Sequence, residues 1–376
     1  MTTTVQLLRD LIALPSINPE CTTPDDPRAG EQRVADFIAA TAASAGLDVS
    51  LQPVAPGRPN VLARLSPPGR VRQRVVLAPH MDTVGGSSPK IFMPVIKSGR
   101  MHGRGACDTK GSVAAMLSAL MELARSKTRP AHTEILFAGL VDEEGEQAGS
   151  RALVRSGFRA DLAIVGEPTL CRVVTAHKGS IWVRIETEGK AAHGARPELG
   201  VNAVYLMARI VAMLEKEYAP SLTERHHPVL GHATISVGTI QGGRQPNIVP
   251  DHCMIDADRR TLPGETEASV LREVRALLRR HGIKASIRNA KPVLCPPMET
   301  DPEHPLVRQL HTVAGQTVAH GVDFFCDAAV LAGAGIPSLV FGPGDIAQAH
   351  TADEWISLES LEQARRLLVQ YLRNLA

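Results

Sequence analysis

Apolar and polar positions along the chain fall into two textures. From residue 31 to about 175, short apolar runs alternate with stretches of helical spacing. Val34, Phe37, Ile38 and Ala42 recur every three or four residues and predict a helix over 31–45, stopped by Gly46. Strands are expected over 48–53 and 60–65. Val75-Val76-Leu77-Ala78, bounded by Pro79, reads as a buried strand. Val113, Met116, Leu117, Leu120 and Leu123 then predict a helix over 113–125. Buried strands over 134–141 and 161–165 follow, with a helix over 149–156 between them. Such alternation predicts a mostly parallel sheet. Residues 1–14 read as an amphipathic helix ended at Leu14-Pro15, and the Pro-rich stretch 16–30 as a loop.

From about Ala176 the pattern changes. Ile181, Val183 and Ile185 alternate with polar residues, the mark of a half-exposed strand. A helix over 200–218, strands over 234–240 and 253–258, a helix over 265–281 and a strand over 283–287 complete the order β-α-β-β-α-β, which describes a ferredoxin-like unit. After Pro302 the first texture returns: helices over 305–314 and 327–334, a strand over 337–341, and a last helix over 358–372 with Leu361, Leu368 and Leu372 inward. The expected division is therefore a first domain in two pieces, 1–175 and 289–376, with an inserted domain over 176–288.

At 376 residues the chain suits two domains, and its 44% apolar content is ample for their cores. Lys and Arg number 41 against 39 Asp and Glu, a net charge of +2 with no block of one sign. That argues against a nucleic-acid or membrane-surface protein. No stretch approaches eighteen apolar residues. The first twenty residues lack a basic segment followed by a clean apolar core, so no signal peptide is expected. The six cysteines are scattered with no Cys-x-x-Cys, which fits a reducing cytoplasm.

The chemistry lies where the strands end. The run 75–78 leads to His80-Met81-Asp82, and a Gly-rich turn, Gly103-Arg104-Gly105-Ala106-Cys107, delivers Asp108 before the next helix. The run 134–141 leads to Asp142-Glu143-Glu144, and the run 161–165 to Glu167. Polar residues just past the carboxyl ends of such strands face the ligand crevice of open α/β sheets. Any one acidic turn is ordinarily a helix cap or a solvated loop, but the coincidence of several is harder to dismiss. His350 stands on a Gly-rich loop and on no periodic face. Two His with several carboxylates and no Cys suit one or two divalent ions such as zinc, cobalt or manganese. Charge favours two: three liganding carboxylates and two neutral His around two divalent ions leave about one positive charge, whereas one ion leaves an excess of negative charge. From the residues alone, Glu143 and Glu144 cannot be told apart.

The stretches PHMDTV, GRGACDTKG, DEEGE, GEPT, AAHGARPELGVNA, DADRRTLPGE and GPGDIAQAHTADEWI run in order from residue 75 to 356. Together they resemble the dinuclear zinc amidohydrolases that include acetylornithine deacetylase, succinyl-diaminopimelate desuccinylase, aminoacylase-1 and glutamate carboxypeptidase. The resemblance implies an α/β catalytic domain, an inserted lid and dimerisation domain, and two metal ions. It implies that Asp108 bridges both ions, that His80 and Glu167 hold one, and that Glu144 and His350 hold the other. Asp82 would orient His80, and Glu143 would be the general base and then the acid. The peptide after Asp108 would be cis. In the inserted domain, the resemblance makes His193 an oxyanion donor that reaches across a homodimer, Arg260 the grip on a substrate carboxylate, and Asn247 a substrate-side residue. Without it, a solvated turn His, a surface ion pair and a turn Asn are the plainer readings.

Thr109 stands where the family frequently has Met, and Cys326 where it often has Thr or Ser; the second lies near the expected substrate pocket. The function implied is metal-dependent hydrolysis of N-acyl amino acids, with a dipeptidase or carboxypeptidase of the same superfamily as the rival. A non-catalytic metal or amino-acid binding protein is the rival of another class, against which an unligated Glu143 argues. A thiol hydrolase built on Cys107 is a third reading.

Overall fold

Residues 75–78 are fully buried, and the strand that contains them, Gln73–Pro79, lies inside a mixed sheet. A computed structural model describes residues 3–86, 88–126 and 128–376 of the chain. It divides into two compact units: the first holds residues up to Thr175, Glu299–His320 and Cys326–Ala376, and the second holds Ala176–Met298 and Gly321–Phe325.

In the first unit, Gln73–Pro79 pairs in parallel with Thr133–Gly139 on one side and Leu162–Gly166 on the other. Ser338–Val340 pairs in parallel with Leu162–Gly166. These are the strands expected from the apolar runs, and their burial on both faces explains why they read as continuous runs rather than alternations. The parallel order holds only at the centre. Arg58–Leu65 joins Thr133–Gly139 antiparallel, Asp48–Ala55 continues outward as the other arm of a hairpin, and Val340 pairs antiparallel with Val174.

The helices Gln32–Ser44, Lys110–Arg125, Pro305–Ala314 and Leu358–Arg373 present the apolar positions read from the sequence to one core, which includes Val34, Ile38, Val113, Leu117, Leu361 and Leu368. The N-terminal helix is Thr4–Ile12, with Leu7, Leu8, Leu11 and Ile12 buried; the first two residues of the expected helix lie outside the described residues. A small three-stranded sheet of Val95–Lys97, Arg100–His102 and Trp355–Ser357 is not foreshadowed by any periodicity. Its strands are three residues each, too short to show an alternation.

In the second unit, Gly179–Glu188, Thr234–Gly242, His252–Thr261 and Ser286–Asn289 form one antiparallel sheet among the described residues. Numbered along the chain, their order across the sheet is 2-3-1-4, with Ala203–Met213 and Glu267–Arg280 as the connecting helices. That is the ferredoxin-like arrangement. The last strand begins at Ser286 rather than 283 because the Ile283 N–H turns back to the Leu278 carbonyl and closes the helix end (3.0 Å). The expected return to the catalytic domain at 289 also falls too early. The Ala290 N–H donates to the Trp182 carbonyl and the Ser180 N–H to the Cys295 carbonyl, which ties residues 290–295 to the second unit.

Candidate metal centre

Each group that carries chemistry in the first unit sits just beyond a strand or on a turn braced by other chain segments. His80 follows Gln73–Pro79 and is 2% exposed. The Gly103–Asp108 turn needs its glycines: Gly105 has φ +82°, and a Cβ there would stand 2.9 Å from Thr83 Cγ2. Asp108 ends that turn, and its peptide bond to Thr109 is cis, as the resemblance implied.

Asp108 is the residue around which the cluster closes. Its Oδ1 lies 3.1 Å from His80 Nε2, and its Oδ2 lies 3.3 Å from His350 Nε2. Beside His80 stands Glu167, with Oε1 3.9 Å from the same Nε2. Beside His350 stands Glu144, with Oε2 3.0 Å from its Nε2. Among the described residues, two groups of potential ligand atoms result, His80–Asp108–Glu167 and Asp108–Glu144–His350, each with all its atoms within 4.8 Å of one another. Glu143 belongs to neither. His350 holds a positive φ of 60°, a costly conformation for a non-glycine residue and one that tends to occur at functional sites.

The donor set fits divalent cations. Glu167 Oε1 is buried with no hydrogen-bond donor on it among the described residues, and a metal ion is the kind of partner such an oxygen accepts. Negative charge is in excess. Burial and the neighbouring Asp108 push the Glu144 carboxyl above its usual range. Burial pushes Glu167 well up, with Asp108 adding to the effect against the pull of His80. Hydrogen bonds that the His350 ring donates to Asp108 and Glu144 hold its pKa up at about 10. Cations among these groups relieve both the desolvation and the repulsion.

Asp82 is fully buried and braces the acidic turn. Its carboxylate accepts the Glu143 N–H on Oδ1 (3.1 Å) and the Glu144 N–H on Oδ2 (3.0 Å). Asp82 Oδ1 also lies 3.3 Å from His80 Nδ1, which is 3.1 Å from the Asp82 backbone carbonyl as well. Both contacts leave Nε2 as the ring atom free to coordinate. Burial, with the charge of Glu167 next, pushes the Glu143 carboxyl well above the ordinary range.

Several residues with no sequence signal complete the arrangement. Asn18, from the stretch read as a plain loop, donates through Nδ2 to Asp82 Oδ2 (2.8 Å) and Asp142 Oδ1 (3.1 Å). Asp142 is not in either ligand group. Its Oδ1 accepts Arg58 Nη2 (2.8 Å), and its Oδ2 accepts the N–H groups of Glu146 and Ala148 (both 3.2 Å). Arg58 grips Glu31 through two bonds of 2.7 Å, and Glu31 Oε1 accepts the Asp142 N–H (3.1 Å). Arg58 therefore neutralises two buried carboxylates behind the acidic turn. Arg58→Met is expected to lower stability by about 3 kcal/mol, because both would be left without a cation. Urea unfolding measures this; a change below about 0.5 kcal/mol, the scale of an ordinary surface substitution, would contradict it.

Cys326 is fully buried, and burial with the charges of Glu167 and Glu143 pushes its thiol well up. Beside it, Asp327 is raised to about 7 by burial, while Ser150 Oγ donates to its Oδ1 (2.6 Å). Cys107 does not serve the thiol-hydrolase reading. It is fully buried, its Sγ donates to the Asp345 carbonyl (3.2 Å), and burial drives its thiol far above neutrality.

The remaining candidates belong to the second unit. His193 is exposed and forms a bridge with Ile248, and the Gly194 N–H donates to the Asn247 carbonyl (2.7 Å), so the His193 and Asn247 segments lie side by side. The Ala195 N–H donates to His193 Nδ1 (3.1 Å). Arg260 donates through Nε to Asp258 Oδ2 (2.7 Å), with its guanidinium 5.9 Å from the Phe325 ring centre.

The family model for peptidase family M20/M25/M40 matches residues 76–374. The chain belongs to that family. Acetylornithine deacetylase of Proteus mirabilis (strain HI4320) is 31% identical, over 99% of this chain and 96% of that protein. Among solved structures, aminopeptidase PepT of Bacillus cereus ATCC 10987 superposes with a TM-score of 0.78 at 24% identity, covering 98% of this chain and 97% of that one. The YXEP protein of Bacillus subtilis, described as a dinuclear metal-binding peptidase of the M20 family, has a TM-score of 0.72 at 17% identity, covering 98% and 96%. This M20 chain is thus a metal-dependent hydrolase of the deacylase and peptidase class. No described helix is long and apolar enough to cross a membrane.

Proposed function

We propose that this M20 chain hydrolyses the amide bond of N-acyl amino acids with the help of two divalent ions, zinc by preference over cobalt or manganese. The observation that carries the reading is Asp108. Its two oxygens face two different histidines, each with its own glutamate, while Glu143 belongs to neither ligand group. His80, Asp108 and Glu167 would hold one ion, and Asp108, Glu144 and His350 the other. When bound, such ions polarise an amide carbonyl and acidify water. The likeness to acetylornithine deacetylase over nearly the whole of both chains favours an N-acyl amino acid over a peptide.

The chain's own groups do the rest. Glu143 takes the proton of the attacking water and returns it to the leaving nitrogen, the work of a positioned general base and then acid. Asp82 fixes the Glu143–Glu144 turn and the ring of His80. Arg260 holds the substrate carboxylate by a bidentate contact, with Asn247 beside the substrate. His193 donates to the oxyanion. Its Nδ1 accepts a backbone N–H, which leaves the proton of the neutral ring on Nε2, the atom that would donate.

The test is a screen of N-acetyl, N-succinyl and N-formyl amino acids beside dipeptides, with zinc or cobalt. Turnover of the acyl amino acids that disappears in chelator supports the reading. Turnover of dipeptides alone favours the peptidase, and metal binding with no turnover favours the binding protein. A cytoplasmic setting accords with six unpaired cysteines.

A homodimer formed through the second unit belongs to the same proposal. Thr234–Gly242 is an edge strand, and Leu199, Val201, Tyr205, Ile240 and Ile248 are exposed on that unit, Tyr205 at 73%. If His193 serves the partner's site, Glu143→Ala and His193→Ala should each be nearly inactive alone. After complete exchange about half the dimers are mixed, each with one whole site, so activity should return to about a quarter of wild type. Exchange shown by tagged pull-down with no recovery would place His193 outside the partner's chemistry.

A further inference from the structure

Glu354 lies four positions beyond His350 and is 3% exposed. It has no part in the chemistry above, yet its carboxylate is fully engaged. Oε2 accepts Arg104 Nη1 and the Gly105 N–H, both at 2.9 Å. Oε1 accepts the Cys107 N–H (2.8 Å) and the Asp108 N–H (2.9 Å). In return the Gly103 N–H donates to the Glu354 carbonyl (3.0 Å). The next residue, Trp355, starts the strand that pairs with Arg100–His102. Strand pairing therefore runs from Ser357 back to Trp355, and the Glu354 side chain carries the attachment on into the turn that delivers Asp108.

We propose that Glu354 is a positioning residue for the metal centre: it locks the Asp108 turn to the His350 loop and so sets the spacing of the two ligands. The proposal rests on the two-ion reading above. A turn of this kind could have its N–H groups satisfied by water. A charged acceptor, taken from the same loop as a ligand and buried against the backbone N–H of the bridging ligand, fixes both arms at once. The ion of the Asp108–Glu144–His350 group depends on both arms, so it should suffer most when Glu354 is changed.

Two substitutions separate positioning from simple turn stability. Glu354→Gln keeps the shape but turns one oxygen into an NH2, so two of the four donors would face another donor. Glu354→Asp keeps both acceptors on a shorter stem. Wild type and both variants, stripped of metal, are loaded with Co2+. Stoichiometry, affinity against a competing chelator and the visible absorption of the bound ion are measured, with far-UV circular dichroism as the check on folding. Wild type should bind two ions per chain. Glu354→Gln should bind one of them about 10- to 100-fold more weakly, with an altered spectrum, and Glu354→Asp should recover part of the loss. If wild type holds two ions and a folded Glu354→Gln holds both with unchanged affinity and spectrum, the proposal is overturned and the site reading stands. Should Glu354→Gln not fold, Glu354→Asp decides by the same measure. If neither variant folds, the residue serves folding and the proposal is overturned. Wild type holding fewer than two ions overturns the site reading, and this proposal with it.

Discussion

A Glu143→Gln protein is expected to fold, to keep its metal and to lose at least about a hundredfold in kcat, the usual scale for removing a general acid–base. The structure separates this residue from its neighbour. The Glu143 carboxylate is in neither ligand group, whereas the Glu144 carboxylate lies against His350. Both main-chain N–H groups are held by Asp82, and that bracing does not depend on either side chain. Gln at 143 is nearly isosteric and cannot exchange a proton, so the loss should fall on kcat with metal content intact. Gln at 144 should instead show itself first as weakened metal binding. The check is steady-state kinetics beside metal analysis on the same preparations. Near-normal turnover by metal-replete Glu143→Gln would remove Glu143 from the role of base, and a Glu144→Gln protein with full metal and no turnover would reverse the assignment.

That distinction could not be read from Asp142-Glu143-Glu144 as a string, because it depends on which way each side chain leaves a turn. What was legible came from local pattern. Continuous apolar runs marked the strands Gln73–Pro79, Thr133–Gly139 and Leu162–Gly166, and helical spacing marked Lys110–Arg125. The polar residues just past those strands fell into one cluster because parallel strands end on the same side. What was not legible depends on contacts far apart in the chain. Asn18 reaches Asp82 across 64 positions and Asp142 across 124. Glu354 reaches the Asp108 N–H across 246. Neither residue lies on a periodic face, and an Asn in a Pro-rich loop or a Glu before a short strand has the composition of a solvated surface. The early return expected at 289 has a similar cause: residues 290–295 pair with Trp182 and Ser180 by backbone bonds that no side-chain pattern announces.

The same geometry predicts an ordered loss of metal. Wild type, His350→Ala and Asp108→Asn are expected to hold two, one and no ions per chain against a chelator that wild type withstands. Among the described residues, Asp108 is the one member common to both ligand groups. Removing His350 leaves the second group with two carboxylates and leaves the first group whole. Asp108→Asn affects both. It removes the charge that two cations share, and it turns one of two acceptor oxygens into an NH2 that would point at a histidine or its ion. Each group then keeps one histidine and one glutamate, fewer than the three protein ligands that a catalytic zinc site ordinarily has. Asn has nearly the size of Asp, and the Glu354 bond is made to the main-chain N–H of residue 108, so the turn itself should persist. Far-UV circular dichroism and thermal unfolding of the metal-free proteins check that. Metal analysis after dialysis gives the count. An Asp108→Asn protein that still holds two ions would show that the two groups do not share a ligand, and a His350→Ala protein that loses both would show that they do not fill independently.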